Sequence, residues 1–166
     1  MNHVSFKNRM IELVVDYLVI ICYLIILLLV NLALTMVIWG GVPEYTELQV
    51  QLIATFTSVI PIILIFSYLD FYKNGSIGKR VAGLTLIFTH KKFRFSLLRN
   101  IIKFLPWQLG HFGVIHGMYH EFNMTSITIA NLGMVLGLVL LLMGLFKKDK
   151  RHIGDMIAGT QVRVIK

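Results

Sequence analysis

The chain has 166 residues, of which 57% are hydrophobic and 14% charged, and its formal net charge is +8. Soluble domains have about 45–50% apolar and about 25% charged residues. The composition therefore excludes an ordinary cytosolic enzyme and a disordered protein, and the single cysteine, Cys22, excludes a disulfide framework. The mean hydropathy of +0.77 indicates a protein of the membrane.

Three long stretches without Lys, Arg, Asp or Glu predict membrane-spanning helices. They cover residues 17–43, 48–69 and 122–146, with lengths of 27, 22 and 25 residues. Each exceeds the roughly 20 residues that an α-helix needs to cross the bilayer core. A fourth stretch, 104–120, has 17 residues. It spans if Leu97–Lys103 supplies its first turns, with the basic side chains there extended to the lipid headgroups.

We therefore predict an all-α integral membrane protein with four transmembrane helices, forming one domain over residues 1–166. The predicted spans are residues 11–39, 48–70, 97–118 and 123–146. A loop at 71–96 and a tail at 147–166 complete the domain.

The basic residues predict the orientation of these spans. With four crossings, all 16 Lys and Arg residues fall on one side, which the positive-inside rule assigns to the cytoplasm. Both termini are then cytoplasmic, and the basic charge is explained without nucleic acid as a partner. The bilayer itself is the expected partner, and its anionic headgroups are expected to contact four bases of the loop. These are Lys79, Arg80, Lys91 and Lys92.

The predicted cytoplasmic loop also contains a β pattern. Thr85–Phe95 places β-favouring residues on both sides of His90-Lys91-Lys92, which predicts a short hairpin at the membrane surface. The tail segment Gln161–Ile165 alternates like a strand and would join the hairpin as a third. An irregular loop at the membrane interface is the alternative.

Charged groups at membrane depth are the first candidates for function, because hydrocarbon makes them costly unless they are paired or face water. On a helix, Arg9, Glu12 and Asp16 share one face, and Asp16 lies about 10 Å deeper than Arg9. A carboxylate in this position could bind a proton or a small cation. The alternative is a structural network of ion pairs that fixes helix packing.

His116 and His120 stand four residues apart and Glu121 follows, a pattern that could bind zinc. A pair of histidines at the membrane interface is the commoner arrangement, so the sequence predicts neither a metal site nor a cofactor. A metal-dependent hydrolase that uses these three residues is the weakest functional hypothesis. No arrangement of nucleophile and base indicates an enzyme.

Gly133 and Gly137 form a GxxxG pattern in the last predicted span. Such a pattern predicts the close approach of a second helix, from the same chain or from another one. Because 166 residues leave little room for a gated pathway, transport would require a homo-oligomer or a membrane-protein partner.

Three segments resemble the RDD family of small bacterial and archaeal membrane proteins, which is named for one arginine and two aspartates. The first is RMIELVVD, with Arg9 and Asp16 at the family's spacing. The second, GSIGKRVAGLTL, is similar to a glycine-rich segment after the second span, and the third, RHIGDMIAGTQV, resembles the closing aspartate segment. The resemblance implies that Arg9, Asp16 and Asp155 are the three eponymous residues. Glu12 departs from the pattern, which has a small apolar residue there.

The resemblance implies a bacterial or archaeal cytoplasmic-membrane protein and two alternative functions. One is exchange of Na⁺ or K⁺ for H⁺, with Asp16 and Glu12 as titrating acids and Arg9 as the tuning charge. The other is a membrane adaptor or modulator that binds another membrane protein, in which the charges form a structural clasp. In both, Asp155 is expected to fold back to the inner end of the first span, where Arg9 would be shared between the two aspartates.

Overall fold

The computed structural model describes residues 4–41 and 43–165, except for the side chain of Trp39. Its helices are α1 (Phe6–Trp39), α2 (Glu47–Ala54), α3 (Ile60–Tyr72), α4 (Ile77–Val81), α5 (Phe93–Tyr119), α6 (Met124–Phe146) and α7 (Ile153–Ile157). Its strands are β1 (Leu84–Phe88), between α4 and α5, and β2 (Thr160–Val164), after α7. A π-helical turn, Thr55–Val59, joins α2 to α3.

Among the described residues, three helical segments are long and apolar enough to cross a membrane: Phe6–Ile38, Glu47–Tyr72 and Met124–Phe146. Their hydropathy values of 3.0, 2.2 and 2.4 confirm a multi-pass helical membrane protein. Helix α5 has the necessary length of 27 residues, but basic and polar side chains are spread along it and it does not belong to this apolar set. The fourth crossing and the orientation of the termini therefore stay predictions.

Five of the seven helices in the described residues begin at residues whose side chains accept hydrogen bonds from the free backbone N–H groups of the first turn. The Ser5 side chain accepts from the backbone of Asn8 at the start of α1, and Asn123 does the same for α6. Thr46 and Gln49 form a reciprocal capping box at the start of α2. At the other end of α1, Gly40 stops the helix in a left-handed conformation with φ +66°.

Pro61 follows the π-helical turn and has no backbone N–H to donate. The carbonyl of Thr57, four residues earlier, accepts instead from the hydroxyl of Tyr23 on α1, at 2.5 Å. The irregular middle of the second span is therefore tied to the first span, which satisfies a backbone group that hydrocarbon cannot.

Helices α5 and α6 form a closely packed antiparallel pair within this chain. A Cβ atom on Gly133 would lie 2.8 Å from the carbonyl oxygen of Pro106, and one on Gly137 would lie 3.4 Å from the Cβ of Pro106. On the facing helix, a Cβ on Gly113 would lie 2.5 Å from the backbone nitrogen of Ala130. The GxxxG glycines thus admit the backbone of α5, and the partner helix belongs to the same chain.

A small two-stranded sheet is present, as predicted, but its pairing differs from the expected hairpin. Strand β1 pairs antiparallel with β2, with a register that runs from Leu84↔Val164 to Phe88↔Thr160. The predicted second strand, residues 93–95, instead begins α5. Strand β2 pairs with β1 because this pairing buries Leu84 and Val162 in one apolar cluster. Residues 93–95 are helical instead and begin the helix that places Arg99 inside the protein.

Candidate functional site

Eight buried or nearly buried charged side chains of the described chain converge where α1, α3, α4, α5 and α7 meet. We call this group the charge cluster. It consists of Arg9, Glu12, Asp16, Asp70, Lys79, Arg99, Lys103 and Asp155. Four acids face four bases, so the formal charges cancel. Removing ions from water costs several kcal/mol per ion unless they are paired and hydrogen-bonded, and this cancellation is what makes the burial possible.

Arg99 is the centre of one part of the cluster. Its Nη1 donates to Asp70 Oδ2 at 2.7 Å and its Nε to Asp155 Oδ1 at 2.6 Å. Lys79 Nζ lies 3.1 Å from the other oxygen of Asp70, and the hydroxyl of Thr160 donates to Asp155 at 2.8 Å. These four charged side chains are at most 1% exposed. We call Asp70, Lys79, Arg99 and Asp155 the sealed half of the cluster.

The second part surrounds the carboxylate of Asp16 on α1. The Ser76 hydroxyl donates to Asp16 Oδ2 at 2.7 Å, and the backbone N–H of Gly78 donates to Oδ1 at 2.8 Å. A Cβ atom on Gly78 would lie only 2.2 Å from the carbonyl oxygen of Glu12, so glycine is required for α4 to approach α1 this closely. Lys103 Nζ stands 3.7 Å from Asp16 Oδ2, and its side chain is 21% exposed.

Arg9 and Glu12 complete this second part, and both line a cavity. The two side chains form an ion pair of 2.5 Å between Nη1 and Oε2. The cavity has a volume of about 170 Å³. Its wall includes Arg9, Glu12 and Lys103, together with Arg99 of the sealed half, and apolar residues and glycines of α6. We call Arg9, Glu12, Asp16 and Lys103 the cavity half; Asp16 is not itself a lining residue and is included through its ion pair with Lys103. The cavity half contacts the sealed half through Lys79 Nζ, 3.4 Å from Glu12 Oε1.

The expected bridge from Arg9 to the two aspartates is wrong. Within the residues that the structure describes, Arg9 has no ion pair with Asp16 or Asp155; its guanidinium binds Glu12, and its Nε donates to the carbonyl of Gly144 at 3.2 Å. Asp16 lies almost two turns further along α1 and takes its partners from α4 and α5. Asp155 does fold back into the cluster, but its arginine partner is Arg99.

Lys79 was expected at the lipid headgroups, and this prediction is also wrong. Its side chain is fully buried between Asp70 and Glu12. The other three predicted headgroup residues, Arg80, Lys91 and Lys92, are exposed, and their contact with lipid stays a prediction.

The sequence reasoning missed Asp70, Arg99 and Lys103 as members of the cluster. One signal in the sequence was available. Asp70 ends the second charge-free stretch, so this acid lies at the end of a predicted span and precedes a loop rich in basic residues, with which it could form an ion pair. Arg99 and Lys103, by contrast, have the spacing of ordinary snorkelling residues.

His152 caps α7 and lies against both Asp155 and Arg99. Its Nδ1 accepts the backbone N–H of Asp155, so the proton of the neutral ring sits on Nε2, which is 3.2 Å from Asp155 Oδ2. Burial, outweighing the favourable charge of Asp155 and reinforced by the charge of Arg99, lowers the pKa of His152 to about 3. Burial opposes the charged form of Asp155 too, but Arg99 and His152 hold the pKa of its carboxyl well below its usual range.

His116 and His120 lie at the far end of α5 and do contact an acid, though not Glu121. Their partner is Glu47, the first residue of α2, which meets His116 at 2.8 Å and His120 at 3.1 Å. Glu121 follows His120 in the turn after α5, with φ +51°, and does not belong to this group.

The fold and the charge cluster define a multi-pass helical membrane protein with a charge-neutral ionic centre at one end of its bundle. A sequence model of the RDD family matches residues 4–159. The chain therefore belongs to the RDD family, as the three motif segments indicated. Comparison with curated proteins and with solved structures gives no match.

Proposed function

We propose that this protein exchanges a monovalent cation, Na⁺ or K⁺, for H⁺ across the cytoplasmic membrane of a bacterium or archaeon. The observation that carries the proposal is the cavity of about 170 Å³ beside Glu12 and Lys103. A cavity among paired charges, next to a buried carboxylate, provides both the space and the oxygen ligands that a dehydrated cation needs. In this proposal the protein breaks no covalent bond and is not an enzyme.

Asp16 is the exchange site in this proposal. Its carboxylate is held in place by Ser76 and Gly78, while its third partner, the ammonium of Lys103, is the most distant at 3.7 Å. A cation that enters from the cavity takes the position of the ammonium, and Lys103 turns towards the water of the cavity. A proton on Asp16 neutralises the same charge, so cation and proton compete for one group.

Glu12 and Arg9 adjust this competition. Glu12 supplies a carboxylate to the cavity wall, and the Arg9 guanidinium, 2.5 Å away, compensates its charge. The electrostatic potential at the Asp16 carboxylate therefore depends on the charge of Arg9, although Arg9 forms its ion pair with Glu12 and not with Asp16. A homo-oligomer or another membrane protein completes the pathway, because the cavity accounts for only part of the distance across a bilayer core of about 30 Å.

The test is proton flux in proteoliposomes under an imposed Na⁺ or K⁺ gradient, followed with a trapped pH dye. We expect wild-type protein to couple the cation gradient to proton movement, and Asp16→Asn to reduce the flux to that of protein-free vesicles. The matched control is Glu121→Gln, which removes an exposed carboxylate outside the charge cluster and should retain wild-type flux.

Size-exclusion profiles and unfolding temperatures of all three proteins establish that they are folded. Two outcomes contradict the exchange proposal. One is the absence of flux from folded wild-type protein under both gradients. The other is equal flux in wild type and Asp16→Asn.

A second function, a membrane adaptor or modulator, is supported by the exposure of α1. Only 6% of its most apolar 18-residue window is buried, against 28% and 22% in the other two apolar segments. Large apolar side chains from Ile25 to Ile38 face outwards. As an adaptor the protein would pack this helix against another membrane protein, with the charge cluster as a structural clasp. Folded protein without flux is the result that this function predicts.

The orientation forms part of both proposals. We place the charge cluster, β1 and β2 at the cytoplasmic face, because all 16 Lys and Arg residues then lie inside. Both termini are cytoplasmic in this arrangement, and the loop that leads into Glu47 faces the opposite side.

A further inference from the structure

Glu47, His116 and His120 come together at the end of α5 that is remote from the charge cluster. His116 follows Arg99 by seventeen positions, which corresponds to about 26 Å along a helix. Glu47 presents one carboxylate oxygen to each ring: Oε1 lies 2.8 Å from His116 Nδ1, and Oε2 lies 3.1 Å from His120 Nε2. The site is therefore independent of the proposed exchange site.

The surrounding contacts fix the relative position of α2 and α5 at this point. Glu47 begins α2 directly after the capping box of Thr46 and Gln49. The hydroxyl of Tyr119, at the end of α5, donates to the carbonyl of Tyr45 at 2.5 Å. The histidines stand four residues apart on α5 and so share one face, with ring centroids 4.2 Å apart. Two elements distant in sequence thus supply three ligand groups to one place.

The geometry points to a binding site for a divalent transition-metal ion of the zinc class, formed by Glu47, His116 and His120. The three ligand atoms lie within 4.8 Å of one another. Bonds of about 2.0–2.1 Å to one ion require separations of at most about 4.2 Å, which small rotations of the side chains can bring about. Two imidazoles and one carboxylate form a ligand set that zinc accepts, with a fourth position for water.

The side chains are accessible to an ion from solution. They are 29%, 23% and 47% exposed for Glu47, His116 and His120. An ion reaches them without opening the helix bundle, and small rotations of the exposed side chains adjust the ligand distances. From the sequence we expected no metal here, because a pair of histidines at the membrane interface is the commoner arrangement. The acid considered beside them was Glu121, and the sequence could not place Glu47 there.

The experiment is a Zn²⁺ titration of the full chain in detergent, purified with a tag that contains no histidine and freed of metal with a chelator. We expect one Zn²⁺ per chain for the wild type. His120→Ala should weaken the affinity by at least about tenfold, since even loss of an outer-shell group costs 10–100-fold at metal sites. The matched control is His111→Ala, because His111 lies on the same helix but bonds to Trp107 instead.

A second variant, Glu47→Gln, keeps the shape of the side chain and should lose affinity as His120→Ala does. Cobalt in place of zinc gives a visible absorption band for tetrahedral coordination, which should appear in the wild type and in His111→Ala only. Less than one equivalent of Zn²⁺ on the wild type overturns the inference. So does an equal loss of affinity in His111→Ala, or unchanged affinity in both ligand variants.

Discussion

The sealed half and the cavity half of the charge cluster contain the same kinds of side chain but differ in how closely their ion pairs are held. In the sealed half, Arg99 has two carboxylates at 2.6 and 2.7 Å, and no charged side chain is more than 1% exposed. In the cavity half, the pair between Lys103 and Asp16 is 3.7 Å long, and Lys103 is 21% exposed. The same kinds of ion pair therefore provide rigid structure where the distances are short and the side chains are buried, and a lysine that can change partners where the distance is long and the side chain is partly exposed.

The largest expected effect comes from Arg99→Ala. Removing this guanidinium leaves Asp70 and Asp155 buried without their main partner, and breaking a buried pair in this way costs about 3–5 kcal/mol of unfolding free energy. The measurement is unfolding in mixed detergent micelles. Arg94→Ala is the matched control, since Arg94 is exposed on the same helix and stacks on the ring of Phe95 at 5.0 Å. Similar losses in both variants would contradict the special role of the sealed half.

An intermediate effect is expected from pH, through His152. Its pKa of about 3 lies below the ordinary 6.5, so between these values the unfolded chain binds a proton that the folded protein does not. Stability is therefore fully present above pH 6.5 and falls as the pH falls through this window, by about 2 kcal/mol between pH 7 and pH 5. Asp155, with its lowered pKa, is ionised in both states across that range and does not contribute there.

The check is the unfolding temperature at pH 7 and pH 5 in wild type and His152→Asn. Asparagine retains a capping oxygen for α7 but does not titrate, so its pH dependence should be smaller. A variant that keeps the full pH dependence of the wild type would assign the effect to other groups.

The smallest expected effect on stability is that of Asp16→Asn, in the cavity half. Its amide can still accept from the Gly78 N–H and donate to the Ser76 hydroxyl, and Lys103 can turn to cavity water. We expect a loss of about 1 kcal/mol, the usual value of one hydrogen bond, because the amide keeps two of the three partners, in the same unfolding assay as Arg99→Ala. A loss as large as that of Arg99→Ala would remove the distinction between the two halves.

Much of the fold could be predicted because it depends on local signals. Charge-free stretches locate the apolar helices, because each stretch is a local property of consecutive residues. The β pairing could not be predicted in the same way. An alternating pattern shows that 84–88 can form a strand, but the choice between a neighbouring segment and one more than 70 residues away depends on which apolar side chains are buried together.

The candidate site likewise has one part that local spacing predicts and another part that depends on the tertiary fold. Arg9, Glu12 and Asp16 could be grouped from sequence because helical spacing alone puts them on one face. Their partners could not, since Ser76 and Gly78 lie 60 and 62 residues from Asp16. In the sequence, Lys79 and Arg99 look like basic residues at the membrane interface. Only the position of Asp70 in the folded protein shows that their side chains face inwards.

The separation between Arg99 and Asp155 also affects biosynthesis. The two residues are 56 positions apart, so a ribosome adding about 5–20 residues per second needs several seconds between them. During that interval Asp70, Lys79 and Arg99 can already meet, and together they carry one excess positive charge. A nascent chain that stops in this interval keeps a positive charge without its acidic partner at the membrane, where an unpaired charge is costly. Pairing of β2 with β1 brings Asp155 into place and ends that vulnerable period.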